Sequence, residues 1–260
     1  MDTSTRSIII NYQNNRYHIA YKLRSSADSK GTIVFLPGVG CIKECFDAAF
    51  AAESLKNYGI LTADFLGFGE SDKPDEFAYT LEDHAAITKL LIQALHLDHL
   101  IVVGHSMGGV VGLLLAEELP IDNFISAEGA LVSQDISGLT GITHSEEEFT
   151  TTGFDAFRHM LLATGRKDFT TWAHWLETAD KKALFRALWS TADWANNPKL
   201  LRLFNKLPKK SYLYGAERSK EYLLPQLVHT TIYRLENCGH FMMLDDPGEF
   251  YKSIAKASAS

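Results

Sequence analysis

The chain has 260 residues, 46% hydrophobic and 22% charged, which suits one large α/β domain with an insertion, or two small domains. Its formal net charge is −7 and it has no long basic run, so the clustered cations that a phosphate backbone needs are missing and a nucleic-acid partner is not expected. The opening MDTSTRSIIINYQ lacks the regions of a secretory leader, and the apolar run 107–116 is too short to span a bilayer. Cys41, Cys45 and Cys238 suit reduced thiols, so a soluble cytoplasmic protein is expected.

Along the chain, RSIIINYQ and YHIAYKL alternate in polarity on either side of Asn14-Asn15, which predicts a hairpin. GTIVFLPG (31–38) is a β-branched run ending at Pro and Gly, as a strand buried on both faces reads. FDAAFAAESLKNYG (46–59) has helical spacing and closes on Gly59 as a C-cap. ILTADF predicts a buried strand and LGFGESDKPDE a turn-rich loop. Residues 80–97 form an amphipathic helix in which Thr80 and Asp83 imitate a capping box. Then come strand HLIVVGHS, helix MGGVVGLLLAEEL, strands NFISAEG, KSYLYG and TTIYRLENCGH, and helix PGEFYKSIAKA. Strands alternating with helices predict a mostly parallel central sheet flanked by helices, with the first hairpin at one edge.

Between 134 and 205 the strand signal disappears, and all four tryptophans, Trp172, Trp175, Trp189 and Trp194, fall in this stretch. It is too long for a loop, so it reads as a helical cap inserted into a core of residues 1–133 and 206–260.

The junction VVGHSMGGVV (102–111) places G-H-S-M-G between a strand and a helix. A serine hydroxyl needs exposure and a base to act as a nucleophile, and a sharp turn flanked by glycines lifts Ser106 above the sheet. Gly104 and Gly108 are the two glycines of that elbow. The same turn aims the Met107 N–H at the reacting oxygen. Together with FLPG, DFLGFGESDKP and NCGHFMMLDDP, these residues resemble the α/β-hydrolase superfamily over nearly the whole chain, in its capped branch of esterases, C–C bond hydrolases, haloalkane dehalogenases and epoxide hydrolases. The last two use an aspartate nucleophile; Ser106 argues for acyl transfer.

The resemblance implies a base at His240, in CGHFMMLDDP, and the order Ser106, acid, His240 agrees with this fold. It also implies a second oxyanion donor after TIVFLPG, assigned to Val39, although the family's usual His-Gly is Pro37-Gly38 here. His84 is explained by its helix, and His105 points away from Ser106 in the elbow. Cys41 and Cys45 have no histidines spaced to complete a metal site and read as packing residues, so neither metal nor cofactor is expected.

The acid must accept the second N–H of the imidazole at a strand's carboxyl end. The family's acid usually comes three residues after the glycine of KSYLYG, where this chain has Arg218; Glu217 is one residue early. Some members carry the acid one strand earlier, where Glu128 ends NFISAEG; a carboxylate there needs a partner. Glu128 is favoured, Glu217 is the alternative, and Asp193 is too early. The cap tryptophans, with Phe154, Phe157, Phe169 and Phe185, favour an apolar acyl or aromatic small-molecule substrate, and His144, His159 and His174 read as surface or substrate-contact residues. The expected activity is hydrolysis of a small carboxylic ester, lactone or thioester through an acyl-enzyme on Ser106. C–C bond hydrolysis or acyl transfer with the same triad, and a non-catalytic ligand receptor, are the alternatives; oligomeric state is not legible.

Overall fold

The computed structural model describes residues 4–25, 29–137 and 145–259. Its centre is an eight-stranded sheet in the order β1-β2-β4-β3-β5-β6-β7-β8. The strands are β1 (Arg6–Tyr12), β2 (Asn15–Arg24), β3 (Thr32–Leu36), β4 (Gly59–Ala63), β5 (Leu100–His105), β6 (Asn123–Ala127), β7 (Lys210–Gly215) and β8 (Thr231–Leu235). β1 and β2 run antiparallel to their neighbours, whereas β3 to β8 pair in parallel. Every residue of β3, β5 and β6 is buried, which is why these segments read as continuous apolar runs rather than alternating ones.

The chain passes from β3 to β4 on one side and then back across β3 to β5 on the other. That reversal opens a crevice between the carboxyl ends of β3 and β5, where open α/β sheets place their ligands. The loops leaving these two strands carry Val39 and Ser106. Helices α1 (Leu81–Ala94) and α2 (Met107–Glu118) pack against each other, and Thr80 caps α1 by accepting a hydrogen bond from the Asp83 amide at 3.2 Å.

Two local readings are corrected. The hairpin turns at Gln13-Asn14, both with positive φ, and Asn15 already belongs to β2. Residues 43–50 and 53–55 form two short 3-10 segments instead of one α-helix, and Gly59 opens β4 rather than capping a helix. A Cβ at Gly59 would sit 2.9 Å from Thr32 Oγ1, so the glycine serves close strand packing.

Between β6 and β7 the chain forms α3 (Glu146–Glu148), a π-helical turn (Phe149–Gly153), α4 (Phe154–Ala163), α5 (Lys167–Trp175), α6 (Lys181–Asn196) and α7 (Pro198–Lys206). Phe149, Phe154, Phe157, Trp172 and Phe185 are buried among these helices. After β8 come the one-turn α8 (Met242–Asp245) and α9 (Pro247–Ala259), which closes the sheet on one face.

Candidate active site

Ser106 stands alone between β5 and α2 with φ 51° and ψ −118°, a conformation that costs energy for any residue with a Cβ. The surrounding packing enforces it. A Cβ on Gly104 would lie 2.4 Å from the Gly108 oxygen, and one on Gly108 would lie 2.2 Å from the Leu36 oxygen. Only glycine at both positions lets β5, α2 and the end of β3 approach this closely. The Ser106 amide donates to the Ala127 oxygen at 3.1 Å, which ties the turn to β6. The Met107 N–H opens α2, where the first amides have no partner within the helix.

The loop after β3 turns at residues 38–41. The Cys41 amide donates to the Gly38 oxygen at 3.1 Å, and Gly40 takes φ +68°. A tight turn with positive φ at its third residue demands glycine. The Val39 carbonyl accepts a hydrogen bond from Trp172 Nε1 at 3.0 Å, so α5 holds this loop directly. Of the four tryptophans, Trp172 lines the cavity above Ser106; Trp189 is exposed and Trp194 bonds Glu82 at 2.9 Å.

Glu128 follows β6 with φ 52°, and its side chain is fully buried. Its backbone amide donates to the Leu213 oxygen at 2.9 Å, and Oε1 accepts the Gly215 amide at 3.1 Å. Oε2 faces three cationic or protonatable groups: Lys220 Nζ at 2.8 Å, Arg218 Nε at 3.5 Å and His240 Nδ1 at 3.6 Å. No hydrogen bond of regular geometry reaches Oε2 among the described residues, so charge dominates there. Burial pushes the carboxyl up, but the His240 ring and the Lys220 ammonium outweigh it and hold the group at about 2. Glu128 is therefore an anion throughout the neutral range.

His240 lies in the loop after β8. Its backbone oxygen accepts a hydrogen bond from His105 Nε2 at 2.9 Å. A carbonyl can only accept, so His105 carries its proton on Nε2. Burial first, and the neighbouring His240 second, lower the His105 pKa to about 3, which keeps it neutral. The ring of His105 packs 4.7 Å from that of His240 and braces the loop from below.

Glu217 is elsewhere. Its carboxylate is half exposed and lies 3.5 Å from Arg166 Nη1, and among the described residues no ion pair joins it to His240. Arg166 pairs also with buried Asp168 at 3.0 Å, so Glu217 helps tie α5 to the loops that follow β7 and β8. His159 and His174 are exposed and do not line the cavity, His144 lies outside the described residues, and Asp193 is exposed. Lys220 and Asp135 escaped the sequence reading. Both sit in polar stretches that look like surface loops, and only the tertiary burial of their side chains distinguishes them.

A cavity of about 240 Å³ opens over Ser106 and His240. Its walls are mainly apolar: Val39, Ile136, Phe157, Leu161, Phe169, Trp172 and Phe241, with Arg218 and Asp135 at the polar side. All three cysteines are free and buried, and among the described residues no cluster of His, Cys, Asp and Glu converges as metal ligands would.

Residues 33–253 match the model of the alpha/beta hydrolase family. The chain belongs to that family. The esterase EaEST from Exiguobacterium antarcticum superposes with a TM-score of 0.76 at 18% identity, covering 98% of this chain and 100% of the esterase. N-acyl homoserine lactonase AidH, solved with N-hexanoyl homoserine, superposes at 0.73 with 13% identity over 97% of this chain and 96% of the lactonase. At these identities the likeness concerns the fold. Among curated proteins, the probable lysophospholipase BODYGUARD 4 of Arabidopsis thaliana is 38% identical over 86 residues, 32% of this chain and 21% of the relative. The first matched relatives are covered over 21% to 35% of their length. The mostly parallel sheet, the hairpin at its edge and the alpha/beta hydrolase family agree with the sequence expectation. Among the described residues no helix is long and apolar enough to cross a membrane.

Proposed function

We propose that the protein is a serine hydrolase that cleaves a small carboxylic ester, lactone or thioester through an acyl-enzyme on Ser106. The observation that carries this reading is a single juxtaposition. A serine held at φ 51° shares one cavity with His240, whose Nδ1 faces a buried, ionised Glu128 at 3.6 Å.

In this scheme Ser106 Oγ attacks the acyl carbon as His240 Nε2 takes its proton. Glu128 accepts the Nδ1–H of His240, selects the tautomer and stabilises the imidazolium. The 3.6 Å separation exceeds the usual N–H···O distance of about 2.9 Å, and such contacts tighten once substrate is bound. The Val39 and Met107 amides receive the oxyanion, one from a loop clamped by Trp172 and the other from the start of α2. Collapse expels the alcohol or thiol, which takes the proton from His240. Water then repeats the sequence and releases the acid.

The described helices between β6 and β7, from α3 to α7, act as a cap that sets substrate size. A mainly apolar cavity of about 240 Å³ suits a short to medium acyl chain. The lactonase neighbour's complex with N-hexanoyl homoserine holds a ligand of that kind.

The test is turnover of an ester panel graded by chain length, with Ser106→Ala as control. Loss of all turnover in a folded Ser106→Ala protein is expected. Product analysis separates hydrolysis from C–C cleavage and from acyl transfer, since each leaves a different product from one substrate. Tight ligand binding without turnover would instead indicate a receptor.

A further inference from the structure

In this chain the loop after β7 supplies cations to the acid of the preceding strand. Lys220 is an ammonium with 2% of its surface exposed. Its Nζ lies 2.8 Å from Glu128 Oε2 and 2.8 Å from Asp135 Oδ1. Asp135 is anchored in turn: Oδ2 accepts the Leu131 and Val132 amides at 3.0 and 3.1 Å, and Oδ1 accepts the Tyr222 hydroxyl at 2.7 Å. A buried lysine is costly in desolvation unless it is paired, and here both partners are fixed. Asp135 also lines the cavity, at the base of the segment joining β6 to the inserted helices.

We propose that Lys220 is a positioning residue of the active site, which keeps Glu128 ionised and aimed at His240 while fastening it to Asp135 at the base of the helical insertion. The proposal rests on the serine-hydrolase reading above. Its physical basis is the charge balance around Oε2. Glu128 faces Lys220 and Arg218 from the β7–β8 loop, Gly215 N–H from the end of β7, and His240 from the loop after β8. Lys220 itself faces Glu128, Asp135 and the Tyr222 hydroxyl, with the Tyr212 ring 6.0 Å away; neutral His105 lies behind His240. Remove the ammonium, and Arg218, which is 40% exposed and 3.5 Å away, is the one full cation left facing a fully buried carboxylate. Burial then weighs more heavily against the His240 ring, Arg218 and the Gly215 N–H that remain, and the Glu128 carboxyl moves up. A protonated acid no longer stabilises the imidazolium.

The test compares wild type, Lys220→Met, Glu128→Gln and the double variant Glu128→Gln/Lys220→Met, with the rate of Ser106 labelling by a fluorophosphonate between pH 5.5 and 9.5 as the readout. That probe requires only an activated serine and no knowledge of the substrate. Lys220→Met should label about tenfold or more slowly at pH 6 and come back to within about twofold of wild type at pH 9, where Glu128 ionises again. A merely structural role predicts a loss independent of pH, and that result overturns the proposal, as does an unchanged profile. Should Lys220→Met fail to fold, the double variant decides, because it removes the unpaired carboxylate along with the lysine. It should label as Glu128→Gln does at every pH, since Lys220 acts through Glu128; a further loss in the double variant overturns the proposal. Failure of the underlying reading looks different: wild type itself would not label, or Glu128→Gln would label as fast as wild type.

Discussion

Replacing Glu128 by Gln keeps the volume and removes the charge. At Oε1 an amide oxygen can still accept the Gly215 N–H. At the Oε2 position an NH2 group would face Lys220, Arg218 and His240, and all three would now meet a donor instead of an anion. Among the described residues Lys220 would keep Asp135 as its one anionic partner, so stability should fall by about 3 kcal/mol, the scale of a broken buried ion pair. The catalytic cost is larger. An amide cannot stabilise the imidazolium and favours the wrong tautomer, which costs about four orders of magnitude in kcat in a serine triad. Glu217→Gln, by contrast, removes one half-exposed contact to Arg166 at 3.5 Å, worth below about 1 kcal/mol, and should leave kcat within about twofold. The assay is kcat on a short-chain p-nitrophenyl ester well below each variant's Tm, with chemical unfolding to register the stability term separately. Near-normal kcat in Glu128→Gln, or equal small losses in both, would refute the assignment of the acid.

Three further outcomes follow from the geometry. His84 is fully buried among Phe65, Phe68, Phe77 and Tyr79, with neither ring nitrogen bonded among the described residues, and burial lowers its pKa from 6.5 to about 4. A histidine with a depressed folded pKa must be neutral in the native state, so its contribution is intact above about pH 6.5 and is lost as pH falls toward 4, at about 1.4 kcal/mol per pH unit. Denaturant midpoints across pH 7 to 4 should show that decline, and His84→Leu should flatten it; an unaltered slope in the variant would contradict the assignment. Trp172→Phe leaves the buried Val39 carbonyl without its donor, which should cost about 1–3 kcal/mol of stability and lower kcat by loosening the oxyanion loop. Unchanged melting and turnover would remove that clamp from the account. In the ester panel, kcat/KM should be highest for short to medium acyl chains and fall for long ones; a preference for long chains would show that the cavity does not set chain length.

The parallel core was legible because strands buried on both faces leave unbroken apolar runs, as TIVFL and LIVVGH do. The elbow was legible for a different reason: a serine at positive φ between β5 and α2 needs glycine at 104 and 108, and that demand leaves a spaced pattern. Spacing also carried the argument about the acid. Arg218 stands where an acid was sought, and in space its guanidinium lies 3.5 Å from Glu128. What could not be read is whatever depends on tertiary burial. Lys220, in the polar stretch ERSKEY, has the composition of a surface loop, yet it is almost wholly buried. The 43–55 segment has helical spacing, but the chain there turns in two short 3-10 pieces, and the first begins at Lys43, whose amide donates to the buried Asp64 carboxylate at 2.6 Å. Likewise, four tryptophans in one stretch suggested an aromatic pocket, whereas Trp172 alone among them reaches it.

The central claim is that Ser106 is an activated nucleophile, and covalent capture tests it most directly. The folded protein would be treated with a fluorophosphonate at neutral pH, digested, and the modified peptide identified by mass spectrometry. The account predicts one adduct, on Ser106, absent from Ser106→Ala and slowed by about three orders of magnitude or more in His240→Ala. An adduct on a different residue, or equal labelling of wild type and His240→Ala, would contradict it.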